Sequence, residues 1–492
     1  MKYYIGVDLG TSALKLLLVQ EDGAILKTVS RAYPVAYPHP GWSEQNPEDW
    51  WTAFVSGVRE LTADIDPTAV AGIGAGGQMH GLVVLDDADA VIRPAILWND
   101  GRTQKETDYL NQVIGKEKLS EYTANIAFAG FTAPKLLWLK ENEPQNFARI
   151  RKIMLPKDYI NYKLTGVHTT DYSDASGMLL LDVKNKRWSD EMLDICQITQ
   201  EQLPRLYESY APVGTLTETV AAELGLSPHT VVIAGAGDTA AAAIGTGTVE
   251  DGRCNISLGT SGTVFISSSR FAVDPANALH AFCHASGDYH LMACILSAAS
   301  CNKWFCEDIL GTDDFVAEQA GLTDDHLGRN HVFFLPYLMG ERSPINDTAA
   351  RGTFIGMRMD TRRQDMLLAV LEGVAFAIRD NLEIARGQGI SIAGSTLCGG
   401  GAKSPLWQKI LCNVLNTDIT LLQTEQGPGY GAAMLAMVGC GAYADVADCA
   451  AALVKARTTL TPDPAIAARY DRQYNQFKEI YPTLKDLFKT LT

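Results

Sequence analysis

The tetrapeptide Leu-Gly-Thr-Ser occurs twice in this 492-residue chain, at 9–12 and at 258–261, each time after an apolar, β-prone run. Glycine lets a backbone approach an anion closely, while Thr and Ser hydroxyls and successive N–H groups supply donors. Such a turn can cradle phosphate oxygens. Asp8 precedes the first copy and suits a Mg2+ ion or its water shell; the second copy has Ser257 at the matching place. Either turn alone reads equally as a plain hairpin. Two of them, half a chain apart, suggest the phosphate chain of one nucleotide held from two sides.

Asp238 is a further reactive candidate. It lies in GAGDTA, 235–240, between a strand pattern, TVVIAG, and a helical one, TAAAAIG. A helix start favours an ionised carboxylate, and a carboxylate beside a transferring phosphate can take the proton of an acceptor hydroxyl. Two other readings stay open: a helix N-cap without catalytic duty, and a loose G-x-G-x-x-A dinucleotide turn. Against the latter, Asp238 would aim a negative charge at a pyrophosphate. A full G-x-G-x-x-G at Gly72, Gly74 and Gly77 runs into MHGLVVLDD, which opens no helix, and no G-x-x-x-x-G-K-[ST] occurs.

The elements that must position these residues follow from pattern. Residues 3–9, ALKLLLV and AILKTVSRAY read as strands, with EDG as a hairpin turn. NPEDWWTAFVSGVREL reads as an amphipathic helix capped by Asn46 with Pro47 at its first position. VAGIGAGG and GLVVLDD then read as strands. A second set begins near 254 with CNISLGTSG, TVFISS and HLMACILSAAS as strands, followed by a helix through NKWFCEDIL. A long helix over RRQDMLLAVLEGVAFAIRDNLEIARGQG, a strand STLCGG and a helix SPLWQKILCNVLN complete it. Each half thus begins strand, Gly-Thr-Ser turn, strand. The expectation is a duplicated α/β unit, with domains 1–246 and 247–492 facing each other across a cleft and the junction within 246–253.

Composition narrows the function. A net charge of −16 and a pI near 5.0, with no Lys/Arg stripe, argue against non-specific binding to nucleic acid or an anionic membrane. The ten cysteines run from Cys196 to Cys449 without a C-x-x-C pair, as reduced thiols would. In HAFCHASGDYHLMAC the His and Cys spacings match no zinc pattern, and a buried strand pair accounts for them better. The early Asp8 breaks any signal-like run, and the Gly-studded stretch 427–444 reads as a small-residue core helix rather than a membrane span. A soluble cytoplasmic protein is expected.

The Asp8 turn, GAGDTAAAAIGTG and CGGGAKSPLWQKILCN together resemble the FGGY carbohydrate kinases, as do GFTAPKLLWLKEN at 130–142 and GTFIGMRMDTRRQDMLLAVLE at 352–372. Five blocks in order cover essentially the whole chain. The resemblance implies the duplicated actin-like, ribonuclease H-like ATPase fold with two domains around a central cleft. GGQMHGLVVLD followed by RPAILWNDGRT, and the HAFCH segment, look like the branch that acts on xylulose. Glycerol-specific members typically carry Arg-Glu where this chain has Met79 and His80, and Gln where it has Thr239.

The resemblance implies ATP-dependent phosphorylation of D-xylulose at O5, with ATP and Mg2+ as cofactors, Asp238 as general base, and Asp8 supporting Mg2+ and phosphate transfer. It places Met79 and His80 on the sugar, and Asp100 behind them. It places Gly10, Thr11 and Ser12, with Gly259, Thr260 and Ser261, along the phosphates, Lys15 near them, and Gly399, Gly400, Gly401 and Lys403 at the adenosine. Partners implied are D-xylulose and ATP, without nucleic acid or membrane; a homodimer stays open. Alternatives are another ketose or polyol as substrate, an actin-like ATPase without sugar, and an NAD-dependent dehydrogenase.

Overall fold

The computed structural model of the chain describes residues 2–424 and 426–491. Its described residues gather into two compact units, one from 2–249, 281–290 and 426–454, the other from 250–280, 291–424 and 455–491.

In the first unit the strand Tyr3–Leu9 is central because side chains on both its faces are apolar and buried. It pairs antiparallel with Ala13–Gln20 and parallel with Val70–Gly77. The sheet order is Pro212–Thr215, Val231–Ile233, Val70–Gly77, Tyr3–Leu9, Ala13–Gln20, Ile25–Ala32, with Ala236–Gly237 added beside Gly76 and Gly77. Alternate residues serve opposite faces. Ile5, Val7 and Leu9 join one core with Trp50, Phe54 and Val58 of the helix Pro47–Leu61. Tyr4 joins the other core, with the helices Asp238–Gly245 and Gly427–Gly439.

That second face explains glycines in VAGIGAGG. A Cβ on Gly74 would lie 2.2 Å from the carbonyl oxygen of Ala432, and one on Gly6 would lie 1.9 Å from that of Gly429. The strands need glycine there because the helix Gly427–Gly439 lies directly on their backbones. The G-x-G-x-x-G pattern is a packing device inside the strand Val70–Gly77.

The helix Pro47–Leu61 begins as its sequence suggests: Asn46 accepts the Glu48 N–H and Pro47 occupies the first position. The strand expected over GLVVLDD shortens to Val83–Leu85 and pairs with Lys152–Met154 outside the main sheet.

The second unit repeats the opening arrangement. Arg253–Leu258 pairs antiparallel with Gly262–Ser268 and parallel with Gly394–Cys398, beyond which lie Ile419–Leu422 and Ala456–Leu460. The hairpin-plus-parallel-strand pattern of each unit is the duplication expected from the two turns. The helix Arg363–Gly387 runs almost the full predicted span. Ser404 caps the helix Pro405–Leu415 by accepting the Trp407 N–H. The strand expected through Ser300 stops at Ile295, because Ala298 and Ala299 donate their amides to Thr260 and Gly259 and turn the chain into the helix Ala299–Trp304. The ten cysteines form no disulfide, and among the described residues no helix is long and apolar enough to cross a membrane.

Candidate active site

The first Gly-Thr-Ser turn is held by all three of its carbonyls. Gly10 O accepts the Tyr33 hydroxyl, Thr11 O accepts Gln45 Nε2 at 2.7 Å, and Ser12 O accepts the Tyr33 amide at 3.3 Å. The Thr11 hydroxyl accepts Trp98 Nε1 at 2.9 Å and donates to Gln78 Oε1 at 3.2 Å, whereas Ser12 is exposed. The turn is therefore a rigid hairpin, with Ser12 as its accessible hydroxyl. Of the three residues in this clamp, Gln78 and Trp98 lie in the blocks GGQMHGLVVLD and RPAILWNDGRT, which assign neither of them a role, and Gln45 carries no motif at all.

Asp8 lies near the end of the strand Tyr3–Leu9 opposite Lys15, whose Nζ donates to Gln426 Oε1 at 2.8 Å. Burial pushes the Asp8 carboxyl up to about 6, with Lys15 pulling it back. Asp238 opens the helix Asp238–Gly245 as its first residue, so Gly237 takes the cap position. Asp238 Oδ1 accepts the amide of its own neighbour Thr239 at 2.7 Å. Asp238 is thus the first helical residue rather than the cap, and its bond goes to the next amide rather than to one two or three residues on, as an N-cap side chain's would. Asp238 keeps only partial exposure, and burial raises its carboxyl to about 7; the Asp8 charge adds to the rise and the Thr239 amide opposes it.

Beside Asp238 lie the sugar candidates. Met79 is buried, its Sδ accepting the Thr239 hydroxyl at 3.4 Å, and a Cβ on Gly237 would lie 3.0 Å from it. His80 sits at the tip of a tight turn, with φ of 66° and the Gly81 amide bonded to Met79 O at 2.9 Å. Its ring stacks on Phe131, centroids 4.5 Å apart and planes 22° apart. His80 Nδ1 lies 2.6 Å from Gly177 O, and since a carbonyl only accepts, Nδ1 carries hydrogen; in the neutral form of such a ring Nε2 is the acceptor. The buried Lys135 fixes the turn, donating to His80 O at 2.8 Å and Gly130 O at 2.6 Å. Desolvation holds the Lys135 amine well below the usual lysine range.

Asp100 is placed differently. Its buried carboxylate accepts Arg102 Nε at 2.8 Å, Arg102 Nη2 at 2.7 Å, the Arg102 amide at 2.9 Å and the Ser43 amide at 2.6 Å. Arg102 lies over the Trp42 ring, 3.7 Å from its centroid. Both oxygens of Asp100 are engaged within the chain.

In the second unit a cavity of about 880 Å³ is lined by Gly259, Thr260, Gly400, Gly401 and Lys403. Its volume is within the range of small-molecule and cofactor sites. It brings the second Gly-Thr-Ser turn to the CGGGAK block. Ser261 and Gly399 do not line it; Gly399 has φ of 91° and a Cβ there would meet Leu258 O at 2.7 Å. Asn302, Lys303, Phe315 and Val316 also line it, and no motif pointed to them.

In the HAFCH segment His284 is consumed by the chain, Nε2 donating to Thr248 O at 2.8 Å while Nδ1 accepts the Ser286 amide at 2.9 Å. Burial lowers its imidazole to about 4.

Comparison with known proteins agrees with this geometry. The FGGY family of carbohydrate kinases matches as its N-terminal domain over residues 3–245 and as its C-terminal domain over 254–440. The chain is 37% identical to the xylulose kinase of Bacillus subtilis, covering 99% of this chain and 98% of that one. It is 38% identical to the xylulose kinase of Escherichia coli, covering 98% and 99%. The crystal structure of a "xyloylose kinase" from Brucella ovis superposes with a TM-score of 0.93 at 40% identity, covering 99% of this chain and 100% of that one. With both family domains matched in order along nearly its whole length, the chain belongs to the FGGY family of carbohydrate kinases.

Proposed function

We propose that the protein is a xylulose kinase, transferring the γ-phosphoryl group of ATP to O5 of D-xylulose and releasing ADP. The observation that carries the site assignment is the partly accessible Asp238 beside Met79, its carboxyl raised to about 7 in a buried setting. In this reading the ionised carboxylate takes the O5 proton as the O5–P bond forms and the bond to the bridging oxygen of ADP breaks. A base with a pKa near the working pH is effective at this. His80 Nε2 accepts a sugar hydroxyl, and Met79 supplies an apolar wall suited to an uncharged polyol. Asp100 acts at one remove, fixing Ser43 and Arg102.

Asp8 fits a Mg2+ role. It is a half-buried carboxylate whose ionisation is disfavoured, which a divalent cation would reverse. Among the described residues no group of three or more His, Cys, Asp or Glu could hold a metal, so the ion would share Asp8 with phosphate oxygens, as Mg2+ commonly does. Bound there it would neutralise charge on the transferring group. In the same reading residues 1–246 supply the sugar and phosphate groups and 247–492 the ATP groups, with 281–290 and 426–454 packed in the first compact unit. Ser12, Lys15 and Ser261 reach the phosphates, adenosine occupies the cavity at Gly400 and Lys403, and the protein works in the cytoplasm.

Asp238→Asn keeps size and the Oδ1 acceptor but cannot take a proton. In a coupled ADP assay kcat on D-xylulose should fall by about 10²–10⁴-fold, the usual worth of a general base. Near-normal turnover would overturn the assignment of the base. A panel of ketoses and polyols tests the sugar, since preference for another acceptor would overturn xylulose while leaving the kinase.

A further inference from the structure

Lys157, Asp158, Asp171 and Asp174 form a charged cluster with no solvent exposure of any side chain. Lys157 Nζ lies 2.6 Å from Asp158 Oδ1, 2.9 Å from Asp171 Oδ1 and 3.6 Å from Asp174 Oδ2. One ammonium among three carboxylates is a costly arrangement to bury. Desolvation accordingly pushes the Asp174 carboxyl far above its usual range, with Lys157 opposing the rise.

The cluster leads toward the reacting groups through a short run of chain. Asp171 Oδ2 accepts the Ser173 amide at 2.9 Å, the Ser209 hydroxyl at 2.7 Å and the Ser173 hydroxyl. With its proton given to Asp171, Ser173 Oγ accepts the Gly237 amide at 3.2 Å. Gly237 immediately precedes Asp238. Further along the same run, the carbonyl of Gly177 accepts His80 Nδ1 at 2.6 Å, and a Cβ on Gly177 would lie 2.6 Å from the His80 ring.

We propose that the stretch 171–178 is a strap that registers Asp238 against His80, with Asp171 and Ser173 as positioning residues and Lys157 as the buried anchor. A general base works only within hydrogen-bond reach of its proton. The base and the imidazole that orients the sugar must therefore be set by a common support. The strap holds the peptide before the base at one end and the imidazole at the other. This rests on the kinase reading for its catalytic consequence, but the clamp itself does not need it.

The test is Ser173→Ala in the full-length protein. The kcat on D-xylulose should fall about 10- to 100-fold, the scale of a 1 Å misplacement made away from the chemistry. KM for the sugar should rise while KM for ATP stays within about twofold, a smaller change than loss of one hydrogen bond to a nucleotide would give. The Gly237 amide should exchange with deuterium about tenfold faster once its acceptor is gone. A purely structural cluster predicts a lower Tm with kcat and both KM values unchanged, and that outcome overturns the strap. So does unchanged exchange at Gly237. A wild-type protein that phosphorylates no ketose or polyol would overturn the kinase reading, and the exchange measurement alone would then decide the clamp. Should Ser173→Ala fail to fold, Ser173→Cys keeps the side chain in place while its thiol is only a weak donor to Asp171 and a weak acceptor for the Gly237 amide, and it is judged by the same readouts.

Discussion

Asp8 and Lys15 are direct cross-strand partners in the first hairpin, yet the lysine ammonium is bonded to Gln426 Oε1 at 2.8 Å. Side chains at such positions share one face of a sheet. The Gln426 contact occupies the cation nearest Asp8 in register, and a carboxylate raised to about 6 remains available to a metal. Asp8→Ala should lower kcat on the order of 10²-fold or more, the scale of losing one preorganised electrostatic partner. Calorimetric titration with D-xylulose should show sugar affinity nearly intact. An equal loss of sugar affinity would remove Asp8 from the phosphate side of the reaction.

His80 needs a variant that tolerates its backbone. At φ of 66° alanine is strained, whereas asparagine adopts this region readily. His80→Asn should therefore raise KM for the sugar about 2- to 12-fold, corresponding to one neutral hydrogen bond, with KM for ATP unchanged. If the ring matters only for its stacking on Phe131, the melting temperature will drop and both substrates will respond alike.

The raised Asp238 carboxyl makes two pH predictions. In the free enzyme kcat/KM should climb with pH through an ionisation near 7, because below it the base already holds a proton. Stability runs the other way. Between the unfolded value near 3.8 and the folded value near 7 the native state binds more protons, so the contribution of this group falls as pH rises and levels off above 7. Asp238→Asn removes that penalty, and thermal melts should show its Tm gain growing from about pH 4 to about pH 7 and holding above that. A gain that shrank with rising pH would contradict the buried-carboxyl account.

The nucleotide cavity can be narrowed at one point. A Cβ on Gly400 meets nothing within 4 Å, whereas one on Gly401 would lie 3.0 Å from Leu258 and Trp407. Gly400→Val should fold normally and fill part of the cavity. KM for ATP should rise about tenfold or more, since misfitting one or two methyl groups is worth about 10- to 200-fold in a tight pocket, while calorimetry shows sugar binding unchanged. Normal ATP kinetics would move adenosine elsewhere.

Much of this was legible in the sequence for local reasons. Asn46 and Pro47, Ser404 and Pro405, and the alternating apolar strands act within a few residues, and the structure follows them. The two Gly-Thr-Ser turns revealed the duplication because both halves repeat the same short signal. Residues that act through distant partners carry no local sign of the partner. Gln45 and Trp98 clamp Thr11 across 34 and 87 positions of sequence, and Ser173 reaches Gly237 across 64. Gly72 and Gly74 have the spacing of a phosphate motif, yet what needs their bare backbone is the helix Gly427–Gly439 and the cysteine that follows it. Periodicity describes a segment's faces but does not say which other segment will cover them.

That helix has a consequence for how the protein is made. One face of the first sheet is covered by residues 427–439, so a ribosome that has finished residue 249 has released an open sheet whose glycine-lined surface lacks its cover. Burial of that face must wait until residue 439 has emerged. A gene split between the two halves of the sequence would yield an N-terminal fragment prone to associate through that bare face, and restoring it would require the C-terminal fragment in trans.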